Sequence, residues 1–306
     1  MIRRALIAAA ALLAVYHLVL PHLPRGWSRA PGQQRQNYLR AQHYVHDVPS
    51  ETDVIVGSSM SNELNEQLLG RSLCKLTFPG GSMFTGLELI RGSDHHPRVV
   101  LIESNVLLRE ADRELVDNTL STWRRSLRKH SPVFRESGRP SSFAIGLLHF
   151  QIRDAARAWD HWRAKNDALP AEVRPDRTLT PRVFEQIMAE NRHALRRSPA
   201  PDELRRSANR LVSLVNELTA DGCRCLFFEM PIDSSLAHLP EPDAVRRVMH
   251  ERFPESRFTW IEFPHDHPYR TVDGIHLTRP DADLVSRELA VASGDAMSAP
   301  RIASVR

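Results

Sequence analysis

The sequence predicts an α/β fold built on a parallel sheet of five strands, with helices covering both faces. Three observations predict it. Apolar runs of strand type recur at residues 53–56, 73–78, 98–103, 223–230 and 258–263, with segments of helical periodicity between them, the pattern of parallel strands joined by crossover helices. Val99-Val100-Leu101-Ile102 is apolar without a break, as a strand buried on both faces must be. A chain of 306 residues, 42% hydrophobic and 25% charged, can bury one large α/β domain with insertions or two small ones, and is no disordered protein.

Charge and cysteine content exclude further classes. The net charge of +4 comes from 41 basic against 37 acidic residues, spread without a long basic block, so no nucleic-acid partner is expected. Nearly all the basic residues are Arg, with Lys only at Lys75, Lys129 and Lys165; a codon bias of the source accounts for that. Cys74, Cys223 and Cys225 are too few for a disulfide scaffold. Cys223 and Cys225 fall on one face of a strand, and buried packing suits them better than metal or redox chemistry.

Residues 1–24 read as an N-terminal membrane anchor or signal. Arg3 and Arg4 precede the run Ala5 to Leu20, interrupted only by Tyr16 and His17. Sixteen helical residues reach about 24 Å against a hydrocarbon core of roughly 30 Å, and Ile2 and Pro21 to Leu23 extend them. The nearest small-residue cleavage site, Ser28-Arg29-Ala30, is followed by Pro31, which suits cleavage poorly, so an uncleaved anchor is expected. The basic start puts the N-terminus in the cytoplasm and the rest in the periplasm or outside the cell, beyond a bacterial inner membrane. A buried core helix is the alternative.

Residues 25–50 are a polar juxtamembrane connector, helical from Gln33 to His43. Residues 51–292 form the α/β domain, and 293–306 a flexible tail. The first strand ends in Gly57-Ser58-Ser59, and a helical pattern starts at Asn62 and Glu63 and continues through Leu64, Leu68 and Leu69. A serine in such a turn lies at the C-terminal edge of the sheet, where open α/β folds place ligands, and the following helix N-terminus favours negative charge. It is a candidate nucleophile; alternatively Ser58, Ser59 and Ser61 only cap the helix. The second strand, Leu73 to Phe78, ends in Pro79-Gly80-Gly81-Ser82 before a helix over Met83 to Arg91, and the third ends in Glu103-Ser104-Asn105.

Residues 106–201 carry no strand signal. Charged helical stretches at 107–130, 143–165 and 181–197 read as an insertion over or beside the site. Its aromatics Trp123, Phe150, Trp159 and Trp162 could form a sugar platform, but packing explains their helical spacing better. The α/β pattern resumes with an amphipathic helix over 202–221, closed by Gly222, then a strand at 223–230, a helix at 243–252 and a strand at 258–263. After the last strand, His265 and His267 resemble a metal pair but have no further ligand placed with them, and read as loop residues.

Asp273-Gly274-Ile275-His276 completes the set. An Asp three residues before a His lets the carboxylate reach Nδ1 while Nε2 faces a nucleophile. Ser59, His276 and Asp273 thus supply nucleophile, base and orienter from opposite ends of the chain. Oxyanion donors are available at strand ends: the Ser59 N–H, the N–H around Gly81, and the Asn105 amide.

On these residues the chain resembles the SGNH, or GDSL-like, hydrolase superfamily. Gly57-Ser58-Ser59 matches its nucleophile block with Ser in place of the usual Asp. Gly81 or Gly80 stands for the glycine block, Asn105 for the asparagine block, and Asp273-x-x-His276 for the last. Glu103-Ser104 departs from the family's usual context, and 106–200 has no counterpart. The resemblance implies a flavodoxin-like three-layer α/β/α sandwich and acyl transfer through an acyl-Ser59 intermediate, with water or a sugar hydroxyl as acceptor and no metal or other cofactor. With the anchor, it implies an esterase or O-acyltransferase acting on an envelope or exported polysaccharide, beside envelope protein partners. A catalytically silent scaffold or glycan-binding module is the alternative.

Overall fold

The computed structural model describes residues 1–20, 32–69, 73–139, 179–264 and 267–298. The helix expected over 143–165 with Phe150, Trp159 and Trp162, the Ser28-Arg29-Ala30 segment, and His265 lie outside the described residues. Two compact units divide the chain: residues 1–47 with 117–173, and residues 48–116 with 174–306. The stretch 106–201 is therefore shared between the units, as is the connector at 25–50.

The first unit contains α1 (Ile2–Val19) and α2 (Gln33–Asp47). Arg135 pairs with Asp47 at 2.7 Å, and the Glu136 N–H donates to Gln42. The Tyr16 hydroxyl donates to the Gly138 carbonyl, and Ser131 bonds His17. Among the described residues no helix is long and apolar enough to cross a membrane. The expected N-terminal helix is present as α1, whose 18 residues reach about 27 Å.

The second unit holds the sheet. Its strands are β1 (Asp53–Gly57), β2 (Leu73–Thr77), β3 (Val99–Glu103), β4 (Arg224–Phe228) and β5 (Thr259–Ile261). All pair in parallel, in the order β2-β1-β3-β4-β5. Every residue of β1 and β3 is buried, which explains their unbroken apolar runs. Ile55, Leu101, Leu226 and Phe228 lie in one cluster with Val285 and Leu289 of the last helix. On the neighbouring positions, Val56 lies against Gly86, where a Cβ would overlap its side chain, and Phe227 packs 4.5 Å from Phe253, ring centre to ring centre.

The chain leaves β1 for β2 on one side and returns to β3 on the other, so strand order reverses between β1 and β3. Such a switch point opens a crevice at the C-terminal strand edge. The last helix, Arg279–Ser298, continues past residue 292, where a flexible tail was expected. The helix expected after β1 is two single turns, α3 (Ser59–Asn62) and α4 (Glu66–Leu69). Lys75 binds the carbonyls of Asn62 and Leu64, holding them outside a continuing helix. A four-residue helix has little macrodipole, so any stabilisation of negative charge here must come from single N–H groups.

Candidate active site

Ser59 stands at the C-terminal end of β1, immediately after Gly57-Ser58. Its hydroxyl lies 2.8 Å from His276 Nε2, and His276 Nδ1 lies 2.6 Å from Asp273 Oδ2. A carboxylate has no proton to give, so Nδ1 carries the hydrogen and Nε2 is left to accept from Ser59. Asp273 Oδ1 also accepts the N–H groups of Ile275 and His276, at 3.1 and 2.8 Å. Burial pushes the Asp273 carboxyl up, but the bonds and charge of His276 outweigh it and hold the group below the usual carboxylate range. Ser58 and Ser61 are fully buried, while Ser59 is partly exposed. Of the three serines, only Ser59 meets the imidazole.

No protein-family model, curated protein or solved structure matches this chain. A nucleophile, a base with an acceptor nitrogen and an ionic orienter in hydrogen-bonding sequence are the parts that serine acyl transfer requires.

The predicted oxyanion donors are placed differently. The Gly81 N–H donates to the Phe78 carbonyl at 2.8 Å, closing a turn in which Gly80 takes φ +74° after Pro79, the type II arrangement. Gly81 as drawn from the sequence is thus a turn donor, not an open one. Asn105 makes a reciprocal pair with Met230: its amide donates to the carbonyl at 2.9 Å and accepts the N–H at 2.7 Å. That pair holds the end of β3 to the segment after β4. Among the described residues no partner accepts the Ser59 N–H, and Asn105 Nδ2 keeps a second hydrogen beyond the one given to Met230, so these two are the donors open to an oxyanion.

Supporting residues that the spacing did not reveal come from distant elements. Helix Pro181–Leu195, expected near the site, holds the loop that carries Asp273: Asn191 donates to the Asp273 carbonyl at 2.9 Å. Gly274 takes φ +94°, and a Cβ there would strike Met188 and Leu236. Both the positive φ and the close approach require glycine between Asp273 and His276. Farther along, Asp281 accepts from Thr278 at 2.6 Å and lies 2.6 Å from His267 Nε2. His267 is therefore engaged by a buried carboxylate. No cluster fit for a metal occurs among the described residues. Cys223 and Cys225 are buried and not disulfide-bonded; the bond to Cys225 and burial push the Cys223 thiol up.

The Asp281 brace yields a stability prediction with a definite sign. Burial raises its carboxyl, but the bonds from Thr278 and His267 outweigh burial and hold it below the usual range. A carboxyl depressed in the folded state stabilises above the unfolded value of about 3.9 and loses that contribution as pH falls through the folded value. Asp281→Asn is expected to cost about 1–3 kcal/mol at neutral pH, with the difference shrinking below about pH 4. Thermal unfolding at pH 7 and pH 3 measures it; an equal deficit at both would exclude an ionic brace.

Proposed function

We propose that the protein is a serine-dependent acyl-ester hydrolase or O-acyltransferase working through an acyl-Ser59 intermediate. One observation carries it: the Ser59, His276 and Asp273 side chains, from loops 217 residues apart in sequence, are hydrogen-bonded in series. His276 takes the Ser59 proton as the oxygen attacks the ester carbonyl, Asp273 stabilises the imidazolium, and the Ser59 N–H stabilises the developing oxyanion. His276 then returns the proton to the leaving alcohol, and water or a sugar hydroxyl releases the acyl group.

A flavodoxin-like three-layer arrangement and membership of the SGNH-like group are part of this proposal. The strand order and the serine's position beside the reversal of that order support both. Action on an envelope or exported polysaccharide, and attachment at a bacterial inner membrane, rest on the basic and apolar sequence of residues 1–24. Envelope proteins are the partners such a location would offer. The full chain is expected to sediment with membranes and to resist salt and alkaline extraction, and residues 25–306 to remain in solution. Recovery of the full chain in the soluble fraction would end the anchor reading.

A silent scaffold is favoured by one observation, the engagement of Gly81 and Asn105 in internal bonds. A serine-directed fluorophosphonate decides between the two, because labelling requires an activated serine and is indifferent to the natural substrate. Labelling lost in Ser59→Ala supports the enzyme; a wild-type protein that stays unlabelled supports the scaffold.

A further inference from the structure

We infer that Glu103 is a positioning residue for the nucleophile turn, resting on the reading of Ser59 as nucleophile. Its carboxyl group is fully buried at the end of β3. Oε1 accepts from the Ser58 hydroxyl at 2.6 Å, and Oε2 accepts the Ser58 and Ser61 N–H groups at 2.9 and 3.1 Å and the Ser61 hydroxyl. All four donors belong to the turn that carries Ser59, none to another part of the chain. β1 and β3 pair Val56 with Ile102, so the register brings Gly57 beside Glu103. A Cβ at Gly57 would overlap Glu103 Oε2 and Ser61 Oγ. The glycine therefore makes room for the carboxyl group to cross to the neighbouring strand.

The consequence for Ser59 follows from counting turn donors. Glu103 takes the N–H groups of Ser58 and Ser61, Ser58 Oγ takes that of Met60, and the Ser58 carbonyl takes that of Asn62. The Ser59 N–H alone points elsewhere, beside a hydroxyl aimed at His276. Burying a carboxyl group is costly unless its lone pairs are met. This turn meets them with four donors, and in return its backbone is held in one conformation. Without Glu103 the Ser58 and Ser61 N–H groups lose their acceptor, and Ser59 is free to shift. A displacement of about 1 Å at a reacting group costs on the order of 10²-fold in rate.

Glu103→Gln keeps one acceptor oxygen for the three donors at Oε2 but sets an NH₂ against the Ser58 hydroxyl, which must turn round to accept it while still holding the Met60 N–H, and is the direct test. Expected are a fall in kcat of about 10²-fold with KM little changed, partial recovery in Glu103→Asp, and an unaltered acid limb of the pH profile, because His276 and Asp273 keep their bond. Amide hydrogen exchange should quicken across residues 57–64 and not across 267–281. A folded Glu103→Gln protein with wild-type kcat and wild-type exchange in the turn would overturn the inference. Should that variant fail to fold, Ser61→Ala removes one donor without burying a new group, and it too must lower kcat and loosen the turn; no change in either refutes the clamp. Absence of any Ser59-dependent reaction in the wild type sinks the nucleophile reading, while the exchange measurement still decides whether Glu103 holds the turn.

Discussion

Ser59→Ala is expected to reduce hydrolysis of a short-chain aryl ester to background, a loss on the order of 10⁶-fold in kcat if the site behaves as serine triads do. Among the described residues the hydroxyl is the only serine oxygen bonded to His276, and alanine leaves the imidazole nothing to activate. His276→Ala should be equally damaging, and the double variant little worse than either, because members of one catalytic unit are strongly non-additive. Ser58→Ala should behave differently. Its hydroxyl accepts the Met60 N–H and donates to Glu103, so its loss removes a cap and leaves Glu103 Oε1 without a donor, which loosens the turn as Ser61→Ala does; kcat should fall far less than in Ser59→Ala, because the nucleophile itself is kept. An inactive Ser58→Ala beside an active Ser59→Ala would show that the turn has been assigned to the wrong serine.

The second large effect is expected at Asp273. Asp273→Asn can keep the bonds from the Ile275 and His276 N–H groups to Oδ1, so the loop should hold its shape. At Oδ2, however, an amide donates where a carboxylate accepted. That drives the His276 hydrogen from Nδ1 to Nε2, and an Nε2–H cannot accept the Ser59 proton. Turnover should fall by about 10⁴-fold, the cost of the wrong tautomer in a serine triad. A near wild-type rate in Asp273→Asn would remove Asp273 from the site and weaken the triad against the scaffold.

The effects at Glu103 and Asp281 differ from these in kind. Neither residue touches Ser59 or His276. Each holds a loop that carries one of them, so the expected losses are smaller and come with altered exchange or stability.

The five strands and the candidate triad were legible in the sequence because they depend on local signals. Two-sided burial produces continuous apolar runs such as Val99 to Ile102, and the Asp273-x-x-His276 contact is a short-range one that spacing alone brings within reach. Segment ends were less legible: the run after β1 looked helical from Asn62 onward, yet it breaks where Lys75, a strand away, claims the Asn62 and Leu64 carbonyls. The fate of the oxyanion donors depended on partners remote in sequence. Asn105 meets Met230 across 125 residues, and no local pattern at Asn105 reports that. Glu103 read as a departure from a family context, because a carboxylate at a strand end is uninformative until the register of β1 and β3 puts it beneath the Ser58–Ser61 donors. The sequence by itself determined which groups could do acyl chemistry and at which strand ends they lie. Only the tertiary structure decided which donors remain open, and that Glu103, Asn191 and Asp281 hold the site. Apart from Asp281, whose partners Thr278 and His267 lie close in sequence, those are contacts between elements far apart in the chain, and sequence periodicity carries no information about such pairings.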